Sequence, residues 1–276
     1  MIGQTTLLNQ LEILSKNKQL PRFIILSGKK GSGRHLIVKM LKIFTGFELE
    51  EVGVKVDDIR DMINRAYVNQ VPTIYAVYDA DDMSEIAKNA MLKICEEPTN
   101  SAFIVMTLLD DNNTLPTIRS RATIYHTEPY TPQQLVEYYV NKFGEDDGMQ
   151  GVNICETPGQ INELHNLGFT EFMNYVDLVF DNVHLVSGSN AFKIGTKLNL
   201  KNDDNGKYPL DFFFKAFVIK CMDKLEDNPS MYSYGIKVTS KYLQELRYRS
   251  LNKIMLFDAW LLELRRGWLT YATSDT

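Results

Sequence analysis

Residues 28–35 read GKKGSGRH. Set against the phosphate-loop pattern G-x-x-x-x-G-K-[ST], Gly28 and Gly33 are in register, with Gly31 between them. The two side chains that do the chemistry in such a loop are changed. Arg34 stands at the lysine position and His35 at the hydroxyl position. Backbone N–H groups at a helix N-terminus still cradle an anion whatever the side chains. Phosphoryl transfer asks for more: a cation on the transferring group and a held magnesium. Arginine is larger, planar and bidentate, so it is not a silent exchange for lysine. An imidazole is a poor ligand for a hard cation that prefers oxygen.

The elements around the loop fit its pattern. FIILS (23–27) is a short apolar run, suited to a strand covered on both faces, and HLIVKMLKIF after the glycines has helical spacing. Residues 5–18 read as a helix with Thr5 or Thr6 as a cap. VDDIRDMINRAY (56–67) and MSEIAKNAMLKICEEP (83–98) read as helices, the second capped by Ser84 or the preceding aspartates and stopped by Pro98. TIYAVYDA (73–80), SAFIVMTL (101–108) and TIYHTE (123–128) read as further strands, and LPTIRSRA (115–122) as a turn into a short helix. Alternating strands and helices predict a mostly parallel sheet. After Pro132 no further strand is read: TPQQLVEYYVNKF, TPGQINELHNL, TEFMNYVDLVF, PLDFFFKAFVIKCMDKLE, KVTSKYLQELRYR and SLNKIMLFDAWLLELRRGW show helical periodicity, and the polar stretch NLKNDDNGKYP (199–209) reads as a loop. The fold class is therefore α/β plus all-α.

The chain has 276 residues, 44% of them hydrophobic and 24% charged, with a formal net charge of -5. That is a globular composition, and the acidic balance argues against nucleic acid wrapped over the whole surface. No run approaches the roughly 20 apolar residues of a membrane helix, and the first residues lack a signal region. We therefore expect a cytoplasmic protein with no membrane partner. Cys95, Cys155 and Cys221 are far apart and in no metal-ligand spacing, so reduced, buried thiols are expected and no metal site.

Several segments occur in a telling order: IGQ (2–4), LPRFIILSGKKGSGRH (20–35), VDDIRDM (56–62), YDADDMSEIAKNAMLKICEEPTNSAFIVMTL (78–108), LPTIRSRA (115–122) and GQINEL (159–164). This series resembles the clamp-loader branch of the AAA+ ATPases, most of all the delta-prime subunits of DNA polymerase III. AKNAMLKICEEP is similar to the family's A-x-N-A-L-L-K-x-L-E-E-P, and TIRSRA to its S-R-C motif. The resemblance is strong over residues 1 to 165. It implies an AAA+ domain with a parallel sheet at 1–128, a small helical lid at 129–185 and a helical collar for oligomerisation at 186–276.

The resemblance also implies roles. In this register the family's magnesium-associated aspartate falls at Tyr78 and the following glutamate at Asp79. The sensor pattern G-x-x-R reads GQIN, with Asn162 in place of the arginine. With Arg34 and His35, these changes imply a subunit that does not hydrolyse ATP itself. Arg121 falls on the position of the arginine finger, which reaches the ATP and magnesium of a neighbouring subunit. For Arg119, a finger role and a local salt bridge to an acidic residue such as Asp79, Asp81 or Asp82 stand side by side. For Arg121, the surrounding motif favours the finger over such a bridge.

Implied partners are the clamp-loader ATPase subunits, a clamp-opening subunit, the sliding clamp and primer-template DNA. Arg60 and Arg65 on one helix, and Lys88 and Lys93 on another, are candidates for DNA phosphate contact. The family's four-cysteine zinc module is absent, which suggests a phage or otherwise divergent clamp loader, in the host cytoplasm if phage-encoded. Two other readings stay open: an active ATPase in which Arg34 serves as the lysine and Asp79 or Asp81 holds magnesium, and a clamp-loader-like scaffold or inhibitor. DFFFKAF (211–217) has the aromatics of a base-stacking platform, but at helical spacing it reads as collar core, and LELRRGW (262–268) as an amphipathic helix end.

Overall fold

The computed structural model describes residues 2–145, 147–183, 195, 198, 207–246 and 252–272. The chain divides into two compact units: Met1–Lys142 with Glu156–Ile161, and Phe143–Cys155 with Asn162–Thr276.

The first unit is built on a five-stranded, all-parallel sheet. Its strands are β1 (Phe23–Ser27), β2 (Glu48–Val52), β3 (Thr73–Val77), β4 (Ala102–Leu108) and β5 (Thr123–His126), in the spatial order β2-β3-β4-β1-β5. The helices are α1 (Thr5–Lys16), α2 (Arg34–Thr45), α3 (Val56–Val68), α4 (Glu85–Glu96), the single turn α5 (Pro116–Arg119) and α6 (Pro132–Phe143). Successive strand residues point to opposite faces, and each face buries its own core. Ile24, Leu26, Ile74, Ala76 and Val105 pack with Leu7 and Leu11 of α1 and Ile37, Val38 and Leu41 of α2. Ile25, Tyr75, Val77, Ile104 and Met106 pack with Ile59 and Met62 of α3 and Met91 and Ile94 of α4.

One strand was not anticipated, and one cap is corrected. Glu48–Val52 is a strand that apolar patterning does not reveal. It lies at the sheet edge, where charged residues are tolerated, and three of its five residues are glutamates. Neither Thr5 nor Thr6 caps α1; Gln4 occupies the cap position, and its side chain bonds to Glu128 instead. It donates to the Glu128 carbonyl and accepts from the Glu128 N–H, each at 2.7 Å. This ties the chain start to the end of β5. Ser84 does cap α4, its Oγ accepting from the Ala87 N–H.

The second unit is helical. It holds a run of 3-10 turns at Asp147–Ile154, most of α7 (Pro158–Leu167), α8 (Phe169–Asn182), α9 (Leu210–Asp223), α10 (Pro229–Glu245) and α11 (Lys253–Ala272). Its core is aromatic: Phe212, Phe213, Phe214 and Phe217 of α9 are all buried, and the last three pack against Phe257, Trp260 and Trp268 of α11. DFFFKAF is thus interior and offers no stacking platform. Trp260 donates from its indole N–H to Thr239 Oγ1 at 3.0 Å, so its one polar atom is satisfied inside the core. The stretch 199–209 lies outside the described residues except for 207–209. Among the described residues no helix is long and apolar enough to cross a membrane.

All three cysteines are free and buried. Burial pushes the Cys95 and Cys221 thiols up to about 12. The native protein should therefore resist iodoacetamide near neutral pH and react fully once unfolded, read by mass spectrometry. Trp260→Ala removes the largest buried side chain of the helical unit and should cost about 3–5 kcal/mol in denaturant titration.

Candidate nucleotide site and candidate arginine finger

The loop leaves the end of β1 and enters α2 at Gly33, whose φ of 93° only glycine adopts readily. Gly28 begins the loop beside Thr127. Gly31 also lies in the left-handed region, at φ +79°. Its outer side meets the first turn of α7: the Gly159 N–H donates to the Gly31 carbonyl at 3.0 Å. A Cβ on Gly159 would stand 2.3 Å from the Gly31 Cα, so the two backbones touch because neither residue has a side chain. Thr157 Oγ1 donates to the Lys30 carbonyl at 2.9 Å, and Tyr130 OH donates to the Ser32 carbonyl at 2.9 Å. Protein groups therefore fix the loop's apex from outside.

Inside, the altered residues contact one another. The Arg34 side chain is 4% exposed, and its Nη2 lies 3.2 Å from Asp79 Oδ1. His35 Nε2 stands 3.6 Å from the other carboxylate oxygen of Asp79. The His35 ring tilts against Tyr78, with centroids 4.2 Å apart. Burial lowers the Arg34 pKa from its usual high value, and the nearby Asp79 and Asp81 carboxylates oppose that. Burial likewise raises the Tyr78 phenol. Asp79 has a left-handed backbone, φ 48°, and its N–H donates to Thr107 Oγ1 of β4 at 2.8 Å, which fixes the carboxylate over α2.

The donor set for a magnesium ion does not fit. The ligand expected from the loop hydroxyl is an imidazole, and Tyr78 offers no carboxylate. Both oxygens of Asp79 face cationic or titratable nitrogens. Asp81 is 8% exposed, its oxygens accepting from the Leu109 N–H at 2.7 Å and Asn113 Nδ2 at 2.9 Å. It serves as a buried tie to the loop after β4. A phosphate fits better. The backbone cradle at the start of α2 persists, and Ser32 Oγ and Arg34 Nη1 are buried without a hydrogen-bond partner. Asn162 lies in α7, three residues after Gly159.

The arginines of TIRSRA do make local pairs, but not with Asp79, Asp81 or Asp82. Arg119 reaches Asp111 at 2.9 Å and the Asn112 side-chain oxygen at 2.9 Å. Asp111 is buried and its N–H donates to Ser27 Oγ of β1, so Arg119 anchors the segment to the sheet. Arg121 pairs with Glu96, at the end of α4, at 2.6 Å and donates to the Thr117 carbonyl at 2.6 Å. Its side chain is 33% exposed and that of Glu96 48%. The sequence did not single out Glu96, since no spacing rule relates it to Arg121.

The four candidate DNA contacts differ. Lys88 is not on a solvated face: its side chain is 8% exposed and its Nζ donates to the Asn113 carbonyl at 2.9 Å. Arg65 gives both its Nε and Nη2 protons to Glu50 of β2. Arg60 is exposed beside Asp57, and Lys93 is exposed with its ammonium 5.9 Å from the Tyr67 ring centroid.

Residues 42–131 match the family model described as DNA polymerase III, delta subunit. The gamma/tau subunits of DNA polymerase III from Mycobacterium bovis and Mycobacterium tuberculosis are 36% identical over 73 residues, 25% of this chain. The match spans only 13% of the length of those relatives. Among solved structures, a DNA polymerase III gamma subunit-related protein from Thermotoga maritima aligns with 94% of this chain and 99% of its own. Its TM-score is 0.50, with 16% identity. The RuvB Holliday junction branch migration motor of the same organism aligns with 98% of this chain and 88% of its own, at TM-score 0.51 and 14% identity. The fold is that of an AAA+ P-loop protein. The sequence likeness to DNA polymerase III subunits is thus carried by part of the chain, residues 42–131 for the family model.

Asp79→Ala would leave Arg34 buried beside the shortened residue. We expect a loss of about 1–3 kcal/mol in urea unfolding, below the cost at a fully buried pair because Asp79 is half exposed. The double variant Arg34→Met with Asp79→Ala should recover most of that loss.

Proposed function

We propose that this chain is a delta-prime-like clamp-loader subunit that does not hydrolyse ATP and lends Arg121 to the active site of a neighbouring ATPase subunit. One observation carries this reading: the residues at the catalytic positions of the loop and of the β3 end bind each other. Arg34 lies against Asp79 and His35 against both Asp79 and Tyr78. A guanidinium held against Asp79 already has an acidic partner and does not reach outward as the loop lysine of an active site would. The phosphate cradle remains as the turn that joins β1 to α2.

Arg121 is in the opposite situation. Its pair with Glu96 joins two partly exposed side chains, and such pairs contribute about 0–1 kcal/mol. An incoming phosphate, with more charge and more acceptor oxygens, replaces that glutamate at little cost. Arg119, tied to buried Asp111, positions the turn that carries Arg121 rather than reaching outward. The partners that follow are ATPase subunits of the loader, a clamp-opening subunit, a sliding clamp and primer-template DNA. ATP and magnesium would belong to the neighbouring subunit's loop. Arg60 and Lys93 are the cations best placed to meet DNA phosphates.

The test is ATP turnover by a candidate ATPase partner with clamp and primed DNA, with and without this chain. Addition of the chain should raise turnover, and Arg121→Ala should remove that rise. Fingers in well-studied phosphoryl-transfer enzymes contribute roughly 10³–10⁵ in rate. Stimulation that survives Arg121→Ala unchanged would overturn the finger role.

A further inference from the structure

Arg121 is folded back on its own chain. Its Nη2 lies 2.6 Å from Glu96 Oε1, and its Nη1 donates to the Thr117 carbonyl at 2.6 Å. Both prongs of the guanidinium are therefore engaged by acceptors of the first unit. Thr117 belongs to α5, just before Arg121, so that contact is local. Glu96 comes from elsewhere: it is the last residue of α4. The helix stops there because Pro98 disfavours helical backbone at Glu97, which leaves the helix at φ -129° and ψ 70°. A carboxylate at a helix C-terminus faces the negative end of the helix dipole, and a cation there is favoured. Arg121 supplies that cation, which explains why it lies back over α4.

The neighbouring arginine marks the contrast. Arg119 is held by Asp111, whose side chain is buried, and that anchor is fixed. The Arg121–Glu96 pair is open to water on both sides and can exchange. An exposed pair of this kind shifts an equilibrium by no more than about fivefold. Glu96 acts on an approaching polyphosphate in two ways. It occupies Nη2 of the arginine that would meet the phosphate, and its own charge repels the incoming one. Among the described residues Glu96 makes no other ion pair, so its charge is not required elsewhere in the fold.

We propose that Glu96 is a holding residue for Arg121: it keeps the finger folded back while no phosphate is offered, and the neighbouring subunit's ATP displaces it. This rests on the reading of Arg121 as a finger and adds the residue that sets when the finger is free. A carboxylate that instead steered Arg121 toward the phosphate would give the opposite sign on removal.

Glu96→Gln keeps the size of the side chain and removes its charge. In the isolated chain, phenylglyoxal should modify Arg121 faster in Glu96→Gln than in the wild type, by up to about fivefold, read by peptide mass spectrometry. The rate at Arg119 should not change, and Glu97→Gln, which removes the adjacent charge, should leave Arg121 at its wild-type rate. With an ATPase partner, clamp and primed DNA, and the chain below saturation, Glu96→Gln should raise the stimulated turnover by a similar factor. An Arg121 adduct rate unmoved by Glu96→Gln, or moved as much by Glu97→Gln, overturns the proposal. So does a faster adduct with stimulated turnover that is unchanged or lower, while the finger itself stands as long as Arg121→Ala abolishes stimulation. Stimulation that ignores Arg121→Ala overturns the finger reading, and this proposal with it, whatever the adduct rates.

Discussion

A guanidinium withdrawn from water needs a carboxylate close by, and in this protein that need falls on Arg34 and Asp79. Arg34 opens the helix that follows the loop, and Asp79 sits just past β3, one strand in from the sheet edge. Each stands where the sequence resemblance implies a catalytic group. Once arginine occupies the lysine position and is buried, an acid at the end of β3 compensates its charge. That acid is then no longer available to a metal or an attacking water. His35 and Tyr78 close the same contact from the exposed side. The substitutions thus form one interaction, which explains how they coexist without leaving a buried charge uncompensated.

Arg121 shows the converse. The two arginines differ less in charge than in what surrounds them. Arg34 is almost wholly buried, whereas Arg121 is a third exposed on a pair that water screens. Between them, Arg119 binds Asp111, which is bonded through Ser27 to the strand that starts the loop. The strand ends therefore hold both the closed loop and the turn that presents Arg121. In the proposed ring, one rigid sheet would place an inactive site of its own and a working residue of its neighbour's.

Much of this was legible in the sequence, because the signals were local. The four apolar strands, the Ser84 cap and the aromatic core of the helical half all follow from spacing over a few residues. β2 did not, since an edge strand needs little apolar patterning and this one carries three glutamates. The start of α10 was also missed, although Asn228 followed by Pro229 is a cap-and-first-turn signal, and the Asn228 side chain does accept from the Met231 N–H. The particular acidic partners of Arg119 and Arg121 were not among those named, for another reason. Asp111 and Glu96 reach them only through the chain's return across the sheet, and no spacing rule encodes that. Lys88 was a candidate for DNA phosphate contact, yet it lies where the loop after β4 covers it.

The claim that the loop is committed to internal contacts is tested most directly by single-turnover hydrolysis of radiolabelled ATP by the isolated chain in excess magnesium. The account predicts no phosphate release above the uncatalysed rate, with Arg34→Ala indistinguishable from the wild type. Release by the wild-type chain that Arg34→Ala abolishes would contradict it and make the altered loop a working catalytic site.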